Sequence, residues 1–506
     1  MPRKKVIIVG AGISGLTAGI YCLDQGFDVE IYEKNPVPGG ECVGWTRKGT
    51  YIEGCAHWII GTSPKSDLYP LWDHIGIFDD NPTRFLTRYI SKFELKNGDT
   101  LTIYSDLEKL EKELLRVAPE DEKPIKRLIK GVKAYMHTRI PVNKPIDKMN
   151  LFELIGFGLA MMPMFAEYGR ARKESMEHFA NRFKNENIRE VFTRFLEPEY
   201  NVHSCYYILQ ELAKGNSCVL EGGSLLMMER IAKRFTDRGG VLHLASPVKE
   251  ILDKDDKAYG IRTEKGEEVL SDYVIAACDM HYALRHLLGA HYVDKEWEKQ
   301  YADREAFPVN TSVLLSYRAK GDFSHYPYQI DFPTEEFSLF GKKTTHFPLR
   351  NFAFDRSLPT PEGTTLMTAL IPANQEVYEN LKKMDRQEYV AKKKELGESF
   401  IPLIAQKLGI EEKDVELLDV ATPLTYERYN HCYKGSYMAF LSTAKGWGLM
   451  RPGLIKGLDH FVMAGQWIMI PGGLPVALMS GKHAAIRICN MEKIKFQNKE
   501  ETKREK

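Results

Sequence analysis

Hydrophobic positions near the start of the chain predict a strand, a helix and a second strand. Val6 to Val9 is a short run of apolar, mostly β-branched residues, typical of a strand buried on both faces of a parallel sheet. A helical pattern continues from there to Leu23, and Gly26 lies where a helix C-terminus favours glycine. Val29 to Tyr32 predicts the second strand. Residues 6–33 therefore predict a β-α-β unit.

Three later stretches also carry a clear pattern. Residues 106–140 are charged, with leucines at helical spacing on one face, which predicts amphipathic helices. Residues 151–165 are the most apolar stretch, but Glu153 and Pro163 interrupt it, so we expect it to be too short and too broken to span a membrane. From Gly222 the α/β pattern returns, and it closes with a strand at 461–464, a Pro-Gly-Gly turn and a helix at 475–489.

Composition and charge exclude several classes of protein. The chain has 506 residues, of which 43% are hydrophobic and 27% charged, as in ordinary globular proteins and unlike collagen-like, disordered or multi-span membrane proteins. Its formal net charge of +1 lacks the strong field of a nucleic-acid binder, so we expect no nucleic-acid partner. The eight cysteines include no C-x-x-C pair, which favours a cytoplasmic location without disulfides or a metal site.

The first turn carries a dinucleotide-binding pattern. Gly10-Ala11-Gly12-Ile13-Ser14-Gly15 reads G-x-G-x-x-G, leaves the first strand and opens the helix. In such a turn the first glycine permits the bend, the second lets a pyrophosphate approach the backbone, and the third lets helix and strand pack closely. Glu33 follows Gly12 by 21 positions and can accept hydrogen bonds from ribose hydroxyls. The motif alone does not distinguish NAD from FAD as the cofactor.

Four segments together resemble the flavin-dependent oxidoreductases related to phytoene desaturases, carotenoid isomerases and retinol saturases, within the amine-oxidase-like FAD fold. They are residues 6–40 with their Pro-Gly-Gly, residues 54–58 with the sequence Gly-Cys-Ala-His-Trp, residues 221–278, and residues 464–481 with a second Pro-Gly-Gly. The resemblance implies FAD as the cofactor. It implies the following cofactor-binding residues: Gly10, Ala11, Gly12, Ser14, Gly15, Glu33, Lys34, Gly39, Gly40, Val248, Gly465, Gln466, Gly472, Gly473, Leu474 and Val476.

Two positions depart from the family pattern. Members commonly carry Arg after the paired glycines, where this chain has Glu41. An anion beside a pyrophosphate is unfavourable unless Lys34, Arg47 or another cation offsets it, so we expect either that Glu41 points away or that this subgroup binds the phosphates differently. Gln466 replaces an acidic residue that many members use near the ribityl chain of the flavin, and its amide can still form hydrogen bonds there.

The resemblance also sets the predicted fold class and domains. We predict an α/β protein in which a discontinuous, N-terminal Rossmann-type FAD-binding domain carries an inserted α+β substrate domain with a mixed sheet and helices. Residues 1–80, 215–290 and 425–493 are expected to form the FAD-binding domain, and residues 81–214 and 291–424 the substrate domain. We expect residues 494–506 to be a disordered tail.

The expected substrate is a long apolar molecule. Amine oxidases of this fold place an aromatic ring before the C-terminal glycines, but this chain has Ile468-Met469-Ile470, which suits a hydrocarbon. Residues 151–165 and 225–228 are candidates for the wall of an apolar tunnel, and ordinary core packing explains them equally well. A further interpretation is that residues 151–165 contact a membrane peripherally, through which a lipid enters.

We therefore expect an enzyme that desaturates, saturates or isomerises C=C bonds of a carotenoid, retinoid or unsaturated acyl chain. His57 and Trp58 are the candidate catalytic residues, although His57 can equally be a packed core histidine; Tyr200, His203 and Tyr433 are weaker candidates. No second dinucleotide motif follows, so we do not expect a separate NAD(P)H-binding domain. The sequence therefore does not identify the electron partner. The alternatives are a flavin amine or amino-acid oxidase and a non-enzymatic escort of prenyl lipids with the same fold.

Overall fold

The computed structural model describes residues 3–55, 58–87, 89–446, 448 and 450–500. The strands are β1 (Lys5–Val9), β2 (Asp28–Tyr32), β3 (Gly44–Arg47), β4 (Thr50–Glu53), β5 (Ile59–Ile60), β6 (Arg84–Leu86), β7 (Tyr89–Glu94), β8 (Thr100–Tyr104), β9 (Ser217–Leu220), β10 (Val241–His243), β11 (Val248–Lys254), β12 (Lys257–Thr263), β13 (Glu268–Leu270), β14 (Tyr273–Ala276), β15 (Val309–Lys320), β16 (Gln329–Leu339), β17 (Lys342–Asn351), β18 (Thr364–Ala373), β19 (Val415–Ala421), β20 (Ser436–Phe440) and β21 (Phe461–Met463). The helices are α1 (Ile13–Asp24), α2 (Tyr69–Ile75), α3 (Leu107–Val117), α4 (Glu122–Tyr135), α5 (Leu151–Ala171), α6 (Met176–Ala180), α7 (Glu186–Phe195), α8 (Val202–Ala213), α9 (Gly223–Asp237), α10 (Met280–Tyr282), α11 (Lys295–Ala302), α12 (Gln375–Lys383), α13 (Arg386–Ser399), α14 (Ile401–Leu408), α15 (Pro423–Asn430) and α16 (Leu474–Met491).

A five-stranded parallel sheet contains the N-terminal strand. Its order is β10-β2-β1-β14-β21. Successive residues of β1 face opposite sides: Val6 and Ile8 pack with α1, α9 and α16, whereas Ile7 and Val9 pack with β11, β12 and the helical turns after β14. Both faces are therefore buried, which explains why β1 is apolar at every position from Val6 to Val9.

A larger mixed sheet forms the second layer. Its order is β19-β15-β18-β17-β16-β7-β8, with β20 paired to β15, and β16 runs parallel to β7 while the other pairs are antiparallel. Helices α12, α13 and α14 pack on one face. Helices α3 to α8 form a separate helical layer with its own core. The predicted fold class, a dinucleotide-binding α/β domain combined with an α+β domain that contains a mixed sheet, is confirmed.

Three features differ from the expectations. Strand β20 lies within residues 425–493, expected in the FAD-binding domain, yet it pairs with β15 of the larger sheet. Within the predicted disordered tail of residues 494–506, Glu500 is instead buried, and its carboxylate lies 3.0 Å from Lys482 Nζ; residues 501–506 lie outside the described residues. Residues 151–171 form one continuous helix, α5, which contains Pro163 in its interior, and Asn150 and Glu153 form a capping box that stabilises its first turn.

Helix α5 differs from the other helices in what it exposes. It is the one helix in the described part of the chain that is long and apolar enough to cross a membrane by length and composition, and only 17% of its most apolar segment is buried. Phe152 is 85% exposed, and Leu151, Ile155, Leu159 and Met162 are also exposed. Met161 and Met164 on its other side are buried against the helical layer.

Candidate functional site

One cavity of about 990 Å³ connects the two sheets. At one end it meets the turns that follow the parallel strands, and at the other it lies between the larger sheet and the helical layer. Cavities that bind cofactors and small molecules are typically ~300–1,000 Å³ in volume. The carboxyl ends of parallel strands are where α/β folds bind ligands.

The β1–α1 turn is packed as a dinucleotide motif requires. A Cβ on Gly15 would lie 1.9 Å from the carbonyl oxygen of Gly10, so α1 can approach the turn only because this position lacks a side chain. Gly10 has φ +106°, in the region that favours glycine. A Cβ on Gly12 would meet only the Gly39 oxygen, at 3.6 Å, and Gly12 lines the cavity. Gly12 therefore leaves room for a ligand, and Gly15 for the helix.

Glu33 lies buried in the cavity wall at the end of β2. Its carboxylate accepts hydrogen bonds from the backbone N–H of Ala11 at 2.8 Å and of Asn35 at 2.9 Å. These bonds fix the carboxylate beside the glycine turn, where it is available to ribose hydroxyls. Lys34 also lines the cavity, and its Nζ donates to the carbonyl of Arg428 at 3.0 Å.

The two departures from the family pattern contact each other. Gln466 donates from Nε2 to the Glu41 carboxylate, and its Oε1 accepts from the backbone N–H of Gly473 at 3.1 Å. The expectation that Glu41 points away is wrong, since Glu41 lines the cavity. The expected cations do not offset it: Arg47 pairs with Asp419 at 3.1 Å, and Lys34 donates to the Arg428 carbonyl.

Burial and the nearby Asp279 carboxylate raise the pKa of Glu41 to about 8. Burial likewise raises the pKa of Asp279 to about 6. Glu41 is thus substantially neutral at neutral pH, which reduces the repulsion that an anionic ligand would meet here. The amide of Gln466 can donate to Glu41 in either protonation state, whereas a carboxylate at position 466 would repel it.

The C-terminal segment forms the opposite wall. The backbone N–H of Gly465 donates to Ser480 Oγ at 2.8 Å, which fixes the turn after β21 against α16. Helix α16 begins after Gly473, whose φ of +86° suits glycine. Helices α1 and α16 therefore both begin at the cavity, and their N-terminal ends carry partial positive charge.

Glu53 is an organising residue that the sequence interpretation missed. Ser224 donates to its carboxylate from the backbone N–H at 2.7 Å and from Oγ at 2.5 Å, and the backbone N–H of Cys55 donates at 2.9 Å. The carboxylate caps α9 and connects it to the segment that follows β4. A Gly-Gly-Ser sequence signals such a helix entry, but nothing in the sequence indicates that its partner lies 171 residues away.

The other half of the cavity has a sheet floor and a helical roof. Alternate residues of β16, β17 and β18 line the floor, including Gln329, Asp331, Pro348, Arg350 and Leu370. From α5, Phe157, Met161, Met164, Phe165 and Tyr168 line the roof, as expected for part of the 151–165 stretch. Of the two interpretations of residues 225–228, core packing fits the structure, because Met227 and Met228 are buried in the core beside the parallel sheet.

The candidate catalytic residues lie in different positions relative to the cavity. His57 lies outside the described residues, and Trp58 lines the cavity. Tyr200 and His203 line the roof; Tyr200 accepts from Asn310 at 2.7 Å, and burial lowers the pKa of His203 to about 4. Tyr433 packs against Trp467 and Phe440, and it does not line the described part of the cavity.

Most residues expected to bind the cofactor share this cavity. Those that line it are Gly10, Gly12, Ser14, Glu33, Lys34, Gly39, Gly40, Val248, Gly465, Gln466, Gly472, Gly473, Leu474 and Val476. Ala11 and Gly15 act through their backbone instead: Ala11 binds Glu33 and Gly15 packs on Gly10. The acidic residue, the open glycine and the two helix N-termini fit the ribose and pyrophosphate of a flavin dinucleotide.

Comparison with known proteins gives the family. The family model described as flavin containing amine oxidoreductase matches residues 13–489, so the chain belongs to this family. The chain is similar to 4,4'-diapophytoene desaturase from Methylomonas sp, at 21% identity over 98% of this chain and 97% of that protein. It is also similar to all-trans-retinol 13,14-reductase from Homo sapiens, at 23% identity over 86% and 77% of the two chains.

Solved structures agree on the fold. A putrescine oxidase variant superposes with a TM-score of 0.62 at 14% identity, covering 97% of this chain and 99% of that chain. Cyclohexylamine oxidase from Brevibacterium oxydans IH-35A gives a TM-score of 0.59 at 16% identity, covering 97% and 100%. The resemblance inferred from sequence is confirmed. The protein is an FAD-dependent oxidoreductase, phytoene desaturase-like in sequence.

Proposed function

We propose that this oxidoreductase acts on C=C bonds of a long apolar substrate, by desaturation, saturation or isomerisation. The observation that carries the proposal is the single cavity that joins the dinucleotide motif to a half lined by Phe157, Met161, Met164 and Leu370. Methionine and phenylalanine make adaptable apolar walls suited to a flexible chain. The relatives named as carotenoid desaturases and retinol reductase support the same substrate class.

In this proposal the lining residues named above hold FAD, with Ala11 and Gly15 supporting them through the backbone. Glu33 binds the ribose, and the N-terminal ends of α1 and α16 stabilise negative charge on the cofactor. When bound, FAD supplies the two-electron chemistry. The protein's own contribution is to orient the chain, exclude water from the cavity, and supply a proton where the reaction requires one.

Two observations bear on the rival functions. Met469 and Ile470 face the cavity where amine oxidases of this fold place a ring, which disfavours an amine substrate. The escort alternative has no use for a glycine turn and a buried Glu33 that are arranged for a dinucleotide. Among the catalytic candidates, Trp58 and Tyr200 lie on the cavity wall and stay proposals, as does His57.

The Gly12→Val variant tests the cofactor site. The space beyond its Cβ belongs to the cavity, so we expect the variant to fold and to lose most of its FAD, measured by absorbance of the purified protein. Gly169→Val is the matched control, because Gly169 is exposed and has open space around it. A Gly12→Val protein that retains FAD as the control does would overturn the placement.

Substrate class is tested by reaction with the FAD-loaded protein. We expect the dithionite-reduced protein, kept anaerobic, to be reoxidised by an unsaturated long-chain substrate such as a polyene or an unsaturated fatty acid. We also expect the oxidised protein to show no reduction by amines. Reduction by amines without any response to unsaturated chains would establish the amine-oxidase alternative instead.

We also propose that α5 binds a membrane surface peripherally and admits the substrate. Its outer face exposes Phe152, Leu159 and Met162, while its inner face lines the cavity through Met161 and Met164. One helix thus contacts both the surroundings and the substrate half of the cavity. An apolar face of this kind buries itself in the interfacial region of a bilayer.

Sedimentation with vesicles tests this contact. We expect the double variant Phe152→Asp and Leu159→Asp to lose most of its binding to phosphatidylcholine vesicles while keeping its FAD. A matched control is Val390→Asp, since Val390 is also exposed but lies on α13, away from the cavity. Equal sedimentation of the wild type and the α5 variant would overturn the proposal.

A further inference from the structure

Positive charge is concentrated in the part of the chain that contains α5. Residues 122–173, which include α4 and α5, contain eleven Lys or Arg residues and four Asp or Glu residues, a net charge of +7. The whole chain has a formal net charge of only +1, so the rest of the molecule is negative. The charge is therefore strongly asymmetric, and its positive part includes the helix that exposes Phe152 and Leu159.

Four lysines of α4 lie on one face of that helix. Their spacing of three or four residues places them side by side, and all of them are exposed. This lysine face consists of Lys123, Lys126, Lys130 and Lys133. The opposite face of α4 is buried in the helical layer through Ile125, Leu128, Ile129 and Val132.

The lysine face adjoins the exposed face of α5. Arg127 of α4 donates two hydrogen bonds to the carboxylate of Glu167 on α5, one of them at 3.1 Å. The bond from Arg127 and, to a smaller extent, the charge of Lys130 lower the pKa of Glu167. Glu167 lies one turn from Pro163 and Arg170, both exposed on α5. The lysine face and the apolar face of α5 therefore share a boundary.

Nearby carboxylates do not cancel the charge of the lysine face. Each Asp or Glu of residues 122–173 has a cationic partner, and Arg139 pairs with a carboxylate from outside this segment. These pairs are Glu122–Lys126, Asp147–Arg487, Glu153–Lys144, Glu167–Arg127 and Arg139–Asp67. They include one residue of the lysine face, Lys126, and leave out the other three.

A lysine face alone is ordinary for a solvated helix, but here it lies beside an exposed apolar helix. Apolar side chains of such a helix enter the boundary of the acyl chains, while neighbouring ammonium groups stay at the level of the lipid phosphates. A bilayer without net charge matches the apolar face only. A bilayer with anionic lipids matches both faces, because it also attracts lysines that lie close to its surface.

We propose that the membrane surface bound by α5 is anionic, and that the lysine face of α4 binds the phosphate groups of its lipids. This inference rests on the proposed membrane contact of α5 and adds the class of lipid and the residues that select it. An anionic surface attracts residues 122–173 and repels the negative remainder of the molecule. The asymmetry therefore orients the protein with α5, the roof of the cavity, towards the bilayer.

Sedimentation of the FAD-loaded full chain with two kinds of vesicle tests the inference. One kind is phosphatidylcholine alone, and the other contains about one third phosphatidylglycerol, which is anionic. We expect the wild type to bind the mixed vesicles at least about tenfold more tightly, because each lysine near an anionic bilayer strengthens binding roughly fivefold. In about 1 M sodium chloride, where charges are screened beyond ~3 Å, this gain should largely disappear.

A variant of the lysine face localises the effect. It carries Lys123→Gln, Lys126→Gln, Lys130→Gln and Lys133→Gln, and glutamine has nearly the same helix propensity as lysine. We expect it to keep its FAD and its binding to phosphatidylcholine, but to lose most of the gain on mixed vesicles. The matched control changes the net charge equally by replacing four exposed lysines outside residues 122–173 with Gln: Lys265, Lys392, Lys394 and Lys413. It should keep the gain.

The outcomes separate this inference from the α5 contact on which it rests. Equal binding of the wild type to both kinds of vesicle would overturn the inference and leave the α5 contact intact. Equal losses in the lysine-face variant and its control would overturn it too, since net charge alone would then explain the gain. Binding to neither kind of vesicle would overturn the α5 contact as well. Tighter binding of polyglutamate than of mixed vesicles, at equal concentrations of negative charge, would assign the lysine face to an acidic protein instead.

Discussion

Glu41 shows how one residue can make the stability of this protein depend on pH. Its pKa is raised from 4.5 to about 8 by burial and by the charge of Asp279. A raised pKa of an acid stabilises the fold fully below pH 4.5, and that stabilisation is lost as the pH rises through about 8. We expect Glu41→Gln, whose amide stays neutral, to be more stable than the wild type at pH 8–9, by on the order of 1–3 kcal/mol.

Urea unfolding of the apoprotein between pH 5 and 9 measures this effect. Facing Glu41 are the ionisable groups of Asp279, Cys432, Cys55 and Tyr426, none of which is a cation. Glu186→Gln is the control, since the Glu186 side chain is 91% exposed. A Glu41→Gln protein whose stability followed the wild-type pH profile would show that Glu41 ionises freely in the folded state.

At this scale, local spacing decides what the sequence can predict. Gly10, Gly15 and Glu33 are predictable because a turn, a helix packing distance and one strand length fix their relation. The contact between Glu41 and Gln466 is not, because 425 residues separate them and only the packing of both glycine turns on one cavity brings them together. The sequence therefore shows two departures from a pattern, and the structure shows that they are coupled.

At the scale of secondary-structure elements, the N-terminus of helix α9 depends on a residue outside the helix, Glu53. Glu53 accepts from Ser224 and Cys55 at the start of this helix, in a buried setting. Replacing it by Leu leaves these donors without that acceptor, so we expect Glu53→Leu to lose about 2–4 kcal/mol in the free energy of unfolding. Glu53→Gln keeps one acceptor oxygen and should lose less. Chemical denaturation measures both, and equal stability of wild type and Glu53→Leu would contradict the capping role.

Element boundaries were harder to predict where two sheets meet. Residues 268–276 divide at Ser271 and Asp272 into β13 and β14, which belong to different sheets. The break lies at Asp272, whose backbone N–H and carboxylate both bond to Lys5 of β1. Hydrophobic periodicity reports burial, and both strands are buried or paired, so the pattern alone cannot assign them to separate sheets.

Over the whole molecule, the parallel sheet draws its strands from three separate parts of the chain, as the family resemblance implies. Strand β20 could not be assigned in the same way, because it follows α15 in sequence yet completes the larger sheet beside β15. The floor of the cavity, including Arg350, depends on the register of β16 against β17. Register is set by packing over many residues, which is why the sequence suggested an apolar tunnel and missed its polar floor.

The segment after α16 connects the two helices that begin at the cavity. Tyr21 of α1 donates to the Glu500 carboxylate, and Lys482 of α16, which is fully buried, lies 3.0 Å from it. Removal of one partner of a buried ion pair typically costs ~3–5 kcal/mol, because the other charge stays in a poorly solvating site.

We expect truncation after Lys495 to lower the free energy of unfolding by about that amount, measured by urea unfolding of the FAD-loaded protein. Lys499→Gln, which alters a half-exposed side chain 3.9 Å from Asp24, should be nearly neutral. Because α1 and α16 begin directly after Gly12 and Gly473, loosening the contacts that hold the two helices together should also weaken FAD binding several-fold. Unchanged stability and affinity after truncation would show that this segment does not hold the two helices together.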